Sequence, residues 1–182
     1  MPCRNRLARW GPPGLAVLLL LAGAEPRAAM AASLSPQEVQ VLGKALGFVQ
    51  LPPDGATTVA VVYASGNAGS RADAEQIAAE IGDGVRVGSI ILKPQVIDVA
   101  ALASIEPAVI VSAADANGDA VMRASRARHA LCVTAELAAV QSGSCIMTIR
   151  SNPRVEIVLN AEAARAAGVV FPIAFHMMVR EL

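Results

Sequence analysis

Apolar and polar positions along this chain fall into two alternating patterns. After Ser35-Pro36, Val39, Leu42, Leu46 and Val49 recur at spacings of three and four. That period describes a helix with one apolar face, started by a serine cap and a proline in its first turn. Leu51-Pro52-Pro53-Asp54-Gly55 breaks it. Thr58-Val59-Ala60-Val61-Val62-Tyr63-Ala64 is then almost continuously apolar and rich in β-branched residues, which suits a strand covered on both faces. The loop Ser65-Gly66-Asn67-Ala68-Gly69-Ser70 leaves it and feeds a helix expected over Arg71 to Ile81, with Ser70 as N-cap and Asp73 three residues on. Ala74, Ile77, Ala78 and Ile81 form its inner face, and Gly82-Asp83-Gly84 ends it.

The same alternation continues. Val85 to Leu92 reads as a second strand, and a short helical stretch from Val99 to Ser104 stops before Pro107. Ala108 to Ala113 is a third strand, apolar on both faces, followed by the polar loop Asp115-Ala116-Asn117-Gly118-Asp119 and a helix from about Ala120 to Arg128. Ala130 to Thr134 is a fourth strand, and Ala135 to Gln141 a short helix. Cys145 to Arg150 and Arg154 to Leu159, joined through Ser151-Asn152-Pro153, have the composition of an antiparallel hairpin. Asn160 caps a helix that Gly168 stops, and Pro172 opens a last helix expected to run through Val179. Strands alternating with helices, then a hairpin, predict a single α/β domain. Its sheet should be mostly parallel, with a C-terminal antiparallel hairpin and helices on both faces.

The first 31 residues stand apart from this pattern. Arg4, Arg6 and Arg9 precede an apolar run from Leu15 to Ala24, and small residues follow, the order of a secretory signal peptide. The run is about half of the ~20 residues that a membrane-spanning helix needs, so no anchor is expected after processing. Cleavage after Ala31 is favoured, with Ala24 as the alternative site. The domain then occupies residues 32–182. Its 11 basic and 14 acidic residues, after four arginines and one glutamate leave with the signal, give a net charge of −3. Nothing in that balance suits a phosphate backbone, and nucleic acid is excluded as a partner. Cys3 departs with the signal, leaving Cys132 and Cys145. In an oxidising compartment they are expected to pair, closing a loop for which chain entropy gives roughly 3 kcal/mol. The alternative is two buried thiols packing as small apolar groups.

Candidate chemistry is sparse. The loop containing Ser65, Gly66, Asn67, Gly69 and Ser70 meets a helix N-terminus, where free N–H groups favour an anion. It has neither the G-x-G-x-x-G spacing nor a phosphate-binding Lys. If it binds a ligand, Asp115 and Asn117 are its expected second wall, since α/β sheets bind beyond the carboxyl ends of their strands. Asp115, Asn117 and Asp119 echo a calcium loop, but Arg126 stands where a bidentate glutamate is required. No metal and no cofactor is expected. His129 and His176 lie outside any catalytic spacing, so a structural role is expected for each and no enzyme activity is assigned. Phe171, Phe175, Met177 and Met178 concentrate apolar surface near the chain's end, as core or as a partner-facing patch.

Several stretches resemble the YfiR-like periplasmic proteins. Ala45-Leu46-Gly47-Phe48-Val49 with Leu51-Pro52 is similar to the end of that family's first helix, with Leu51 where the family has tryptophan. Ser142-Gly143, Arg154-Val155-Glu156-Ile157 and Leu159-Asn160-Ala161-Glu162-Ala163-Ala164, stopped by Gly168, resemble its closing pattern. Pro172-Ile173-Ala174-Phe175 departs from the family's Ser-rich approach to its last helix. The likeness spans Gln37 to Leu182. It implies a non-enzymatic periplasmic regulator that restrains a membrane-bound diguanylate cyclase or another inner-membrane sensor by protein contact. A homodimer is a further expected assembly. Val61 to Gly69 also looks like part of one lobe of a transporter substrate-binding protein, which implies a small-ligand-binding module as the alternative. The signal reading predicts a mature protein beginning at Ala32 or Glu25. N-terminal sequencing of periplasmic protein checks this, and an intact Met1 there would refute it.

Overall fold

A computed structural model describes residues 33–49, 57–88, 90–116 and 118–182. The signal sequence, the Leu51-Pro52 break and Asn117 lie outside the described residues. Ser35 and Glu38 start helix α1 (Pro36–Leu46) as a reciprocal pair: the Ser35 hydroxyl accepts from the Glu38 N–H, and the Glu38 carboxylate accepts from the Ser35 N–H. Strand β1 (Thr58–Tyr63) follows, then α2 (Ala68–Ile81), β2 (Val85–Val87) and β3 (Ile90–Asp98), and a 3₁₀ helix at Val99–Ser104. The rest of the sheet is β4 (Val109–Ser112), β5 (Leu131–Thr134), β6 (Met147–Arg150), β7 (Glu156–Leu159) and β8 (Arg180–Glu181). Its connections carry α3 (Asp119–Arg128), α4 (Leu137–Gln141), α5 (Ala161–Ala167) and α6 (Ile173–His176).

The eight strands lie in the order β2-β3-β1-β4-β5-β6-β7-β8. β3, β1, β4, β5 and β6 are parallel, and β6–β7 is the expected antiparallel hairpin. The α/β class read from the sequence is therefore the observed one. Right-handed crossovers explain the helix layers. The chain steps one way from β1 to β3 and the other way from β3 through β4 to β6. α2 therefore covers one face, while the 3₁₀ helix, α3 and α4 cover the other. α1 packs on α2, and α3 packs on α5 and the 3₁₀ helix.

Three element boundaries differ from the sequence pattern, each for a physical reason. The second predicted strand is two strands: Gly88 turns the chain at φ 59°, and β2 folds back antiparallel on β3. β3 then runs on through Pro94 to Asp98. Lys93 donates its N–H to the Thr57 carbonyl of the neighbouring strand segment, so the next nitrogen, at Pro94, points to the outer edge. β2 pairs only with Ile90 to Leu92, so the missing donor faces no partner strand. Helix α2 begins at Ala68 rather than Arg71, because the Asn67 side chain accepts from the Ser70 N–H at 3.0 Å and caps one turn earlier. The last predicted helix is a single turn. Past it, the free edge of β7 captures Arg180 and Glu181 as a parallel strand, closed by Leu182 N–H to Leu159 O at 2.9 Å.

Cys132 and Cys145 form a disulfide with Cα atoms 5.1 Å apart, joining β5 to the residues that enter β6. Both are buried, next to Val133, Ile146 and Met147 in the main core. Glu38, beyond capping α1, accepts from the Ser151 N–H at 2.7 Å and so ties α1 to the β6–β7 turn. At Gly168 φ is +70°, and a Cβ there would lie 2.6 Å from His129 Nδ1, which is bonded to the Ala167 carbonyl region at 2.9 Å. Gly168→Ala is accordingly expected to cost more than ~1 kcal/mol, read from urea denaturation midpoints. Cys132→Ala should cost about 2–5 kcal/mol, the usual range for a native bridge. The denatured, unreduced wild type should titrate with no free thiol from this pair.

Candidate functional site

The direction of the chain's crossovers reverses about β1, so the loops leaving β1 and β4 diverge to opposite faces. Such a switch point is where α/β sheets open a crevice at their carboxyl ends. Here that crevice is closed by the protein's own hydrogen bonds. Ser70, 2% exposed, donates its hydroxyl to the Ala114 carbonyl and accepts from the Ala64 N–H. Asp73 accepts from the Ala114 N–H at 2.8 Å, and Asn67 Nδ2 reaches Asp115 Oδ2 at 3.3 Å. Asp115 takes a left-handed conformation, φ 61°, and its N–H donates to Glu136 at 3.1 Å. The structure thus brings Asn67, Ser70 and Asp115 together as a latch between two loops. Gly66 and Gly69 are exposed beside it, and Asn117 lies outside the described residues.

Open space lies on the other side of the β1 loop, towards β3. A cleft of about 360 Å³ is lined by Tyr63, Gly66, Asn67, Ala68, Arg71 and Asp98. It offers the first turn of α2, a guanidinium and a carboxylate within one hollow. Asp98 caps the 3₁₀ helix through the Ala100 N–H at 2.8 Å and also accepts from the Ser65 hydroxyl. Ser65 first, and then that backbone N–H, hold its carboxyl below the ordinary carboxylate range. Arg71 bonds Glu75 at 2.9 Å, which raises its already high pKa, and its guanidinium stands 5.9 Å from the Tyr63 ring centre. The sequence pattern did not disclose Asp98 or Arg71 as neighbours. With the second strand ended at Leu92, Asp98 was not recognisable as a strand's carboxyl end; the aspartate before Val99-Ala100 was the available signal.

The C-terminal segment divides into an inner and an outer set. All three phenylalanines of the sequence meet. Phe171 stacks on Phe175 at 4.7 Å, and Phe175 lies 5.6 Å from Phe48 at the end of α1. Phe171 and Phe175 are buried, so within this chain they belong to the core. Met177 and Met178 are 83% and 60% exposed, and Ile173, which the sequence pattern did not single out, is 81% exposed. Arg180 binds Glu156 of β7 and so fastens this segment to the sheet edge; Arg150 binds the same carboxylate within the hairpin, and His176 contacts Glu181 within the segment. Arg150 above all, with Arg180, holds the Glu156 carboxyl below its ordinary range. Among the described residues no group of three His, Cys, Asp or Glu side chains is arranged to hold a metal. None of the described helices is long and apolar enough to cross a membrane.

No protein-family model and no curated protein matches the chain. Solved structures match its fold. One is the ABC domain from Streptococcus pneumonia in complex with L-Trp, at TM-score 0.53 and 12% identity over 82% of this chain and 62% of that one. Another is a conserved domain protein from Vibrio cholerae, at TM-score 0.50 and 17% identity over 80% of this chain and 59% of that one. At these identities the likeness establishes a shared α/β architecture, and this chain spans about three fifths of each neighbour's length.

The depressed carboxyl of Asp98 fixes the sign of a pH effect. A folded-state pKa below the unfolded one contributes stability that is present above about pH 4 and vanishes as pH falls through the folded value. Melting temperatures of wild type and Asp98→Asn, compared from pH 7 to pH 3, should differ most at neutral pH and converge on acidification. A gap that is constant or widens towards pH 3 would contradict the assignment.

Proposed function

We propose that this chain is a non-enzymatic, exported binding protein of the periplasm that regulates another protein by direct contact through its C-terminal surface. The observation that carries this reading is the exposure of Ile173, Met177 and Met178 on a segment tied to the rest of the chain by two buried phenylalanines and by the Arg180–Glu156 ion pair. Three large apolar side chains exposed within six residues concentrate apolar surface of the kind that contact sites use. Covering each of these side chains with a partner would contribute roughly 1.5–3 kcal/mol. Methionine adapts to irregular partner surfaces. The resemblance to YfiR-like proteins supplies the partner class, the outer domain of an inner-membrane sensor such as a membrane-bound diguanylate cyclase. The disulfide accords with an oxidising compartment.

The cleft beside β1 favours a second reading, a small-ligand-binding module. Asp98 could face an ammonium, and Arg71 with the first turn of α2 a carboxylate, so an amino acid is the chemistry that fits. One fold neighbour was solved with L-Trp bound.

Two measurements separate the readings. Immobilised wild type should retain a solubilised inner-membrane signalling protein, and a variant carrying Ile173→Ser, Met177→Ser and Met178→Ser should lose it while keeping its melting temperature. Light scattering tests whether a second copy occupies the same surface. Equal retention by wild type and variant would sink the contact reading. A strict monomer that retains nothing, yet melts higher with millimolar amino acid and loses that shift in Asp98→Ala, would put the ligand reading in its place.

A further inference from the structure

The face of the sheet that carries α3 differs in its packing from the face that carries α2. Leu42 and Leu46 of α1 and Ile77 of α2, which pack together as helices, are all fully buried. Between the 3₁₀ helix and α3, the facing residues are largely alanines: Ala100 and Ala103 on one side, Ala120, Ala124 and Ala127 on the other. A methyl group cannot bridge two helices held apart by larger neighbours, so a groove of about 460 Å³ remains, with Val99 and buried Leu102 on the 3₁₀ side. That volume lies within the range of small-molecule sites.

The polar groups lining this groove are Arg123 and Arg128, with no acidic side chain among its lining residues. Arg128 is held in place by Glu106 at 2.6 Å and by the Ala103 carbonyl at 3.2 Å, across the mouth of the groove. Arg123, exposed one helical turn beyond Asp119, has no ion pair among the described residues. Aliphatic walls with one guanidinium free of an ion pair among the described residues complement a ligand with an apolar body and one anionic head. A carboxylate suits a guanidinium, since two parallel N–H groups can meet its two oxygens, and a single such head matches that one guanidinium.

We propose that the groove between the 3₁₀ helix and α3 binds a medium-chain aliphatic carboxylate, its chain along the alanines and its head on Arg123. This groove adjoins the Asp98 cleft through the 3₁₀ helix that Asp98 caps, but it shares no lining residue with that cleft and includes none of Ile173, Met177 and Met178, so it stands or falls independently of both readings.

The test is isothermal titration of the mature protein with decanoate below its micelle concentration, with decanol as the uncharged probe. Saturable one-to-one binding is expected, at least tenfold weaker for decanol. Arg123→Glu, an exposed change that leaves the core untouched, should weaken decanoate at least tenfold. Ala103→Leu, which fills the groove from an exposed position, should weaken both probes. Ile173→Ser with Met177→Ser should change neither. The proposal is overturned by absence of saturable binding at millimolar decanoate, by equal binding of decanol, or by decanoate binding that survives Arg123→Glu. Loss of binding in the Ile173 and Met177 variant would likewise overturn it, placing the probe on the C-terminal patch.

Discussion

The structure depends on one strand being buried on both faces and bonded along both edges. Val59, Ala60, Val61 and Val62 have no exposed surface, and β1 pairs in parallel with β3 on one side and β4 on the other. In such a position every backbone N–H and C=O must find a partner strand, because water cannot reach it. Parallel neighbours can be reached only through crossover connections, so burying β1 also dictates that helices lie over it. The placement of α2's N-terminus, of the latch through Ser70 and Ala114, and of the open cleft by Asp98 all follow from where β1 ends.

Away from that centre the core continues through Met147, Ile149 and Leu159, and local devices reinforce it. The disulfide secures the approach to β6, and Glu38 couples the start of α1 to the hairpin turn. The outermost strand has two paired residues. It is held by its backbone pairing with β7, by Arg180 on Glu156 and by the His176–Glu181 contact. Surface ion pairs of this kind are individually weak. Phe171 and Phe175 are buried just before this strand, and the methionines that follow them are left to solvent.

The parts of this protein that local physics decides were legible in the sequence. Continuous apolar runs gave β1, β4 and β5. Ser35-Pro36 gave the start of α1, Asn160 and Gly168 gave the bounds of α5, and Asn152-Pro153 gave the hairpin. Each depends on a cap, a turn or a burial pattern within a few residues. Tertiary structure alone decided the remainder. Pro94 is tolerated within β3 only because its nitrogen faces an edge with no partner strand. Residues 180 and 181 form a strand only because β7 had an unpaired edge to offer. Phe175 meets Phe48, far away in the chain, only because the fold brings the end of α1 beside the C-terminal turn. Asp98 and Arg71 share a cleft because β1 and β3 end side by side. Sequence fixes what a residue can do nearby; which distant partner reaches it is settled by how the sheet is ordered.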